Sequence, residues 1–243
     1  MPLTKEVFKQ HLLGHITIGV YPLLDDNTCY FLACDFDKES WVDDARGYVS
    51  TCMELGIPAY TEVSRSGNGA HVWIFFSEAV LAKEARQMGA RIISLTCDRI
   101  RQLSLSSYDR FFPNQDTLPS GGFGNLIALP LQKVPRLQNR SVFVDDQGHA
   151  YKNQWELLSS VDRMDNEQIQ ALLEKTRDEN RSYDLPLVEE TLTKPEKSKP
   201  WENERYQYPR ASPGPRRRCL LFRPKGRGIS PCFPLPRSVM DPW

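Results

Sequence analysis

Residues 64–76, SRSGNGAHVWIFF, pass from small polar residues into a bulky apolar segment with His71 at the junction. Val, Trp, Ile and Phe favour a pleated, buried surface, so this segment predicts a strand on which His71, Trp73 and Phe75 share one face. The two glycines of the preceding loop allow its backbone N–H groups to turn toward one point, an arrangement that favours anions. A histidine at a strand end is often purely structural, and that interpretation remains open at this stage.

An acidic pair ends the preceding predicted strand, residues 28–36, TCYFLACDF. Strand alternation places Asp35 and Asp37 on the same face, with Phe36 turned away. Adjacent carboxylates repel each other unless a cation joins them, and their hard oxygen ligands suit Mg²⁺ or Mn²⁺. The pair therefore predicts a metal site, although a solvated turn at the strand end would show the same two residues.

A two-metal site commonly uses a third carboxylate, and the segment YDRFFPNQD offers two. Asp109 follows the hydrophobic Tyr108, as Asp35 follows an apolar run, so Asp109 is the preferred candidate. Asp116 is the alternative, and either residue could instead simply cap a turn. Two metals held by such carboxylates would serve phosphoryl or nucleotidyl transfer, with His71 and its loop holding the triphosphate.

The remaining segments predict helices packed on a sheet. Apolar periodicity predicts helices from Ser40 to Leu55, from Val80 to about Arg101 and from Asn166 to Asn180. Short strands are predicted near residues 59–63 and in NLIALPL, residues 125–131. This order of elements predicts an α+β fold with a mainly antiparallel or mixed sheet.

Composition narrows the class of protein. The 243 residues carry 31 basic and 31 acidic side chains, but eight of the bases and only one acid lie from Arg210 onward. The body is therefore mildly acidic, and any nucleic-acid binding must come from a local basic groove rather than from bulk charge. No apolar run has the length of a membrane span and no signal peptide is evident, so a cytoplasmic protein without membrane association is expected. The six cysteines show no zinc-ligand spacing and are expected to be reduced thiols.

Five motifs in order resemble the archaeo-eukaryotic primase superfamily, and most closely the primase-polymerase domain of TOTE conflict systems. They are LLGHITIGVYPLL, CDFDKESW, SRSGNGAHVWIFF, SYDRFFPNQD and GGFGNLIALPLQ. The resemblance covers about residues 8–185. It implies an RRM-like catalytic core, template-directed nucleotidyl transfer, nucleoside triphosphates and a nucleic-acid template as partners, and a helicase that usually follows in the same family.

The same resemblance implies roles for individual residues. Asp35, Asp37 and Asp109 would bind Mg²⁺ or Mn²⁺, and His71 would contact the phosphates of the incoming nucleotide. The further nucleotide-binding candidates are Ser64, Arg65, Ser66, Arg110, Asn114, Gln115 and Asn125. Lys133 is an additional candidate for phosphate binding, while Trp73 and Phe75 are expected to be core residues.

The C-terminal part departs from the family pattern. Residues 186–212 predict a linker rich in Pro, Lys, Glu and Ser. Residues 213–243 predict a disordered basic tail whose composition is typical of a shifted reading frame, and the alternative is a genuine basic arm that binds nucleic acid. The chain contains no Walker A sequence, so the helicase partner is expected to be lost from this chain. Two other functions stay open: a metal-dependent nuclease, and a truncated nucleic-acid-binding module without catalysis.

Overall fold

The computed structural model describes residues 4–100, 105–118 and 122–177, together with the backbone of residues 219–222. Its helices are α1 (Lys5–Leu12), α2 (Trp41–Glu54), α3 (Ala82–Arg99), α4 (Lys133–Arg136), α5 (Gln154–Ser159) and α6 (Asn166–Lys175). Its strands are β1 (Thr17–Val20), β2 (Thr28–Asp37), β3 (Tyr60–Val63), β4 (Gly69–Leu81), β5 (Tyr108–Phe112), β6 (Ile127–Ala128), β7 (Val142–Val144) and β8 (Cys219–Phe222).

A five-stranded sheet in the order β5-β2-β4-β3-β7 forms the centre of the fold, and all of its pairings are antiparallel. A smaller sheet in the order β6-β1-β8 lies beside it, with an antiparallel β1–β6 pair and a parallel β1–β8 pair. Helices and antiparallel strands in one domain confirm the predicted α+β class.

The two faces of the central sheet differ in what covers them. On one face, here called the helix-covered face, Cys34, Phe36, Val72, Ile74 and Phe76 are fully buried against apolar residues of α2, α3 and α6. The opposite face is divided. Its apolar half, around Ala33, Trp73 and Phe112, packs against Ile127 of β6 and against leucines of α5.

Several predicted boundaries need correction. Residues 80 and 81 belong to β4, so the third helix begins at Ala82 rather than at Val80. The predicted strand in residues 125–131 is reduced to Ile127–Ala128. Ser40, predicted as the start of the second helix, is the N-cap residue of α2, but its hydroxyl donates to Oδ2 of Asp44 and does not cap the backbone.

The C-terminal predictions lie almost wholly outside the described residues. The linker of residues 186–212 falls there, and so does the tail apart from four residues whose backbone pairs with β1. These four residues form a strand where disorder was predicted; for the rest, the division into domain, linker and tail stays a prediction. None of the helices in residues 4–100, 105–118 and 122–177 combines the length and the apolar character needed to cross a bilayer.

Candidate active site

The β2–β4 pairing sets the frame of the candidate site. Asp35 lies directly opposite His71, and Asp37 lies directly opposite Gly69. Side chains of directly paired residues project from the same face of a sheet, so both aspartates and the histidine project from the face opposite the helix-covered face. We call the half of this face that bears Asp35, Asp37 and His71 the acidic half. The same alternation sends Phe36 into the core, where its ring packs edge-on against Tyr48 at a centroid distance of 5.6 Å.

A β-bulge in β5 brings Asp109 to the acidic half. Arg110 pairs with Asp35 and Tyr108 pairs with Phe36, so Asp109 is the extra residue between them. Strict alternation would place Arg110 on the face occupied by Tyr108, but the bulge lets the neighbours Asp109 and Arg110 project together. Their contact confirms this, because Nε of Arg110 donates to Oδ2 of Asp109 over 2.6 Å.

The carboxylates of Asp35, Asp37 and Asp109 converge. One oxygen from each lies within 4.8 Å of the others, with Asp35 nearly buried and the other two exposed. Burial raises the pKa of Asp35 to about 6; the charge of His71 lowers it, while Asp37 and Asp109 raise it further. Because each of the three carboxylates disfavours the negative charge of the others, a bound cation stabilises the cluster.

The chemistry of this donor set fits a divalent metal. All three donors are hard carboxylate oxygens, which Mg²⁺ and Mn²⁺ prefer, and they come from two adjacent strands of one sheet. Asp116, the alternative third ligand, is instead ion-paired with Arg86. The described geometry therefore favours Asp109 over Asp116.

His71 is held between two carboxylates. Its Nδ1 lies 2.9 Å from Oε2 of Glu62, and its Nε2 lies 3.6 Å from Oδ1 of Asp35. Burial lowers the pKa of His71, but the hydrogen bond and charge of Glu62, together with the charges of Asp35 and Asp37, outweigh it and raise the pKa. The surroundings thus favour an imidazolium whose Nε2 faces the acidic half.

The loop between β3 and β4 closes one end of the acidic half. The hydroxyls of Ser64 and Ser66 lie 2.9 Å apart, and Ser66 Oγ accepts from the backbone N–H of Asn68 over 3.1 Å. A Cβ on Gly69 would lie 2.4 Å from Oδ1 of Asp37 and 2.5 Å from the carbonyl oxygen of Phe36. Only glycine leaves room there for the Asp37 carboxylate.

Two arginines connect this loop to its surroundings: Arg65 belongs to the loop, and Arg140 packs against it. Arg65 donates to the hydroxyl of Thr17 over 3.0 Å, which ties the loop to β1. The exposed Arg140 lies over Gly67, since a Cβ on that glycine would come within 2.7 Å of the arginine Nε. Gly67 has a φ of +80°, so glycine fits this position for both conformational and steric reasons.

The remaining predicted residues are not all part of this cluster. Asn125 accepts from the backbone N–H of Asn114 and donates to the carbonyl of Phe111, so its amide ties the loop that follows β5 to the end of that strand. The side-chain oxygens of Asn114 and Gln115 are buried without a hydrogen-bond partner among the described residues. The structure thus gives Asn125 a structural contact in addition to its predicted nucleotide-binding role. Lys133 is an exposed residue at the start of α4.

Sequence reasoning missed two residues that contact the predicted site. Glu62 is 2% exposed and makes the hydrogen bond to His71, yet an acidic residue in the short segment YTEV gives no sign of burial. One signal was present: strand alternation places Glu62 on the same face of the sheet as Tyr60. Arg140 had no such signal, since its position over Gly67 depends on the turn that follows α4.

The fold and the site agree with a comparison with protein families. The family model for the archaeo-eukaryotic primase domain of the TOTE conflict system matches residues 1–172. The chain belongs to this family. Its match includes every predicted site residue, together with Glu62 and Arg140. No curated protein matches the chain. Family membership supports a primase-like, nucleotidyl-transferring class of enzyme with a role in a conflict system.

Proposed function

We propose that this TOTE primase domain catalyses template-directed nucleotidyl transfer at the acidic half of its sheet. The observation that supports this best is the convergence of Asp35, Asp37 and Asp109 beside a histidine on the neighbouring strand. Three carboxylates alone would fit many metal enzymes. A histidine whose surroundings raise its pKa and a loop of small polar residues next to them fit a substrate that carries several phosphates.

In this proposal each residue has a defined task. Asp35, Asp37 and Asp109 bind two divalent ions, Mg²⁺ or Mn²⁺. Such ions neutralise the phosphates of the nucleotide, activate the attacking hydroxyl and stabilise the leaving pyrophosphate.

Other side chains bind and orient the substrate. His71 directs Nε2 at the phosphates, and Ser64 and Ser66 offer hydroxyls from the adjoining loop. Arg110 presents an exposed guanidinium next to Asp109. Arg65, Asn114, Gln115 and Asn125 form the outer part of the nucleotide site, with Lys133 as a further phosphate contact. The partners are nucleoside triphosphates and a nucleic-acid template, with a helicase domain or protein as a further partner.

The direct test is incorporation of nucleotides by the full chain in the presence of Mg²⁺ or Mn²⁺. Primed and unprimed templates, each offered ribonucleotides or deoxynucleotides, are assayed for strand extension and for release of pyrophosphate. We expect extension that requires both template and metal. Shortening of the labelled strand without pyrophosphate release would identify a nuclease, and template binding without either reaction would identify a non-catalytic module.

A histidine variant tests the nucleotide-binding part of the proposal. His71→Ala should weaken nucleotide binding more than template binding, because its imidazole faces the carboxylate cluster. His149→Ala is the matched control, since the side chain of His149 is 80% exposed. Equal loss of nucleotide and template binding in a folded His71→Ala protein would assign the imidazole a different role.

A further inference from the structure

The carboxylate of Glu62 is buried in the central sheet beside the candidate site. Glu62 lies in β3, paired with His71 on one side and with Phe143 on the other, and is 2% exposed. Burial of an unpaired carboxylate is costly, so such a group persists only where donors satisfy it. The identity of those donors therefore indicates what Glu62 does.

Both donors come from β4. The oxygen Oε2 of Glu62 lies 2.9 Å from Nδ1 of His71 and accepts from Nε1 of Trp73 over 3.1 Å. A carboxylate oxygen accepts from an N–H, so the contact places a hydrogen on Nδ1 both in the imidazolium and in the neutral ring. The other ring nitrogen, Nε2, is then the one that faces Asp35, at 3.6 Å from Oδ1.

We propose that Glu62 is a positioning residue, which fixes the His71 ring with Nδ1–H turned into the sheet and Nε2 turned toward the nucleotide phosphates. The first half of this statement concerns the protein alone. The second half rests on the proposed function. A carboxylate that orients a histidine through its second nitrogen acts as do the carboxylates behind metal-bound histidines, where the hydrogen bond sets both tautomer and ring orientation.

A purely structural role is the competing explanation. Trp73 is 3% exposed, and its indole N–H needs an acceptor whether or not His71 does. Variants can separate the two roles because the two donors sit on different residues. Trp73→Phe removes only the indole contact, whereas Glu62→Met removes the acceptor for both donors at similar volume. Glu62→Gln keeps one acceptor oxygen at the same place.

The first experiment measures the tautomer directly. Long-range ¹H–¹⁵N correlation spectra of the full chain, labelled with ¹⁵N-histidine and free of metal, are recorded at alkaline pH, where the ring is neutral. We expect a protonated Nδ1 for His71 in the unmodified protein, in Trp73→Phe and in Glu62→Gln, and a predominantly protonated Nε2 in Glu62→Met. A protonated Nε2 in the unmodified protein would overturn the proposal.

The chain has four histidines, and one of them is an internal reference for this measurement. His11 is fully buried; its Nε2 donates to the carbonyl of Pro130 over 2.9 Å, and its Nδ1 accepts from the N–H of Ile18 over 3.2 Å. His11 must therefore show the opposite tautomer. Its signals should be the same in every variant, so a change in His11 would report a general loss of fold instead of a local effect.

The second experiment measures steady-state kinetics. For Glu62→Met we expect KM for the nucleotide to rise by about tenfold or more, the effect of losing one charge-assisted hydrogen bond, while KM for the template changes less than twofold. Glu62→Gln should bring KM for the nucleotide most of the way back to its unmodified value. Trp73→Phe should keep KM for the nucleotide and KM for the template within about twofold of the unmodified protein. An equal rise for Trp73→Phe would show that Glu62 only supports the sheet.

The two experiments distinguish failure of the proposed function from failure of the proposed role of Glu62. If the chain does not incorporate nucleotides, the spectra still decide whether Glu62 orients His71. If incorporation occurs and the spectra show Nδ1 without hydrogen, the proposed function stands and the role of Glu62 falls. If Glu62→Met does not fold, the unmodified protein and Glu62→Gln still give the decisive spectra.

Discussion

The helix-covered face and the acidic half of the opposite face are built from alternate residues of the same strands. In β2, Cys34 and Phe36 are fully buried under helices, while Asp35 and Asp37 project to the other side. In β4, Val72 and Ile74 are likewise buried, while His71 faces the aspartates. One face gains free energy from burial of apolar surface, and the other concentrates charges that oppose one another. We therefore expect substitutions on the first face to affect stability and substitutions on the second to affect function.

The largest expected effect is the loss of incorporation when an acidic ligand is removed. Asp35→Ala or Asp37→Ala should lower template-dependent incorporation by about 1,000-fold or more, because a metal centre contributes several kcal/mol to the reaction. The fold should persist, since removing one carboxylate relieves repulsion from the others. Asp146 is exposed, so Asp146→Ala serves as the control. Retained incorporation in either variant would refute the metal assignment.

The matching change on the helix-covered face should act on stability. Phe36 is fully buried between Tyr48 and Tyr108, so Phe36→Ala should lower the free energy of unfolding by about 3–5 kcal/mol. Chemical denaturation measures this value. Specific activity per folded molecule should fall far less than in Asp35→Ala, although Phe36 is the next residue in the chain. A stable Phe36→Ala protein without activity would break the distinction between the two faces.

A substitution at Gly69, the first residue of β4, should affect both stability and the site. Gly69→Ala introduces a Cβ that meets the Asp37 carboxylate and the Phe36 carbonyl, so it should cost about 1–3 kcal/mol of stability and displace a metal ligand. We expect incorporation to fall well below that of Gly56→Ala. Gly56 has a φ of +73° and no atom within 4 Å of the position of its Cβ, so its replacement costs only backbone strain. Similar activities for both variants would place Asp37 outside the reaction.

The pH dependence of stability should show the smallest of these effects. The folded pKa of Asp35 is about 6, above the ordinary value of 3.8, so the folded protein binds the extra proton and loses stability as pH rises between these values. Asp35→Asn should remove this loss and become more stable than the unmodified protein by about 1–2 kcal/mol near pH 7, given partial screening by water. Thermal unfolding in EDTA across pH 4–7 measures the difference. A constant difference across that range would contradict the raised pKa.

Strand alternation accounts for the part of the site that the sequence predicted. Asp35, Asp37 and His71 were placed on one face because the period of a strand is two residues, and the pairing of β2 with β4 brings them together. Asp109 was preferred over Asp116 because of its hydrophobic neighbour, and the structure brings its carboxylate close to Asp35 and Asp37. The physical cause is the bulge in β5, which depends on pairing between distant segments and leaves no periodic signal.

Long-range contacts also explain the residues that the sequence did not reveal. Glu62 becomes buried only because β7 and β4 flank β3, and neither partner is encoded in YTEV itself. The amide of Asn125 was predicted to contact the nucleotide, yet it hydrogen-bonds Phe111 in β5 and Asn114 in the loop after that strand. Local patterns thus predicted which strands carry charge, whereas register and bulges determine which charges meet.

Direct measurement of metal binding tests the central claim, that three carboxylates of the acidic half form one metal centre. Binding of Mn²⁺ to the full chain is followed by electron paramagnetic resonance, with Asp109→Asn compared against Asp116→Asn. The account predicts that Asp109→Asn weakens Mn²⁺ binding as strongly as Asp35→Asn does, while Asp116→Asn, whose native partner is Arg86, leaves it unchanged. Loss of Mn²⁺ binding in Asp116→Asn with normal binding in Asp109→Asn would contradict it.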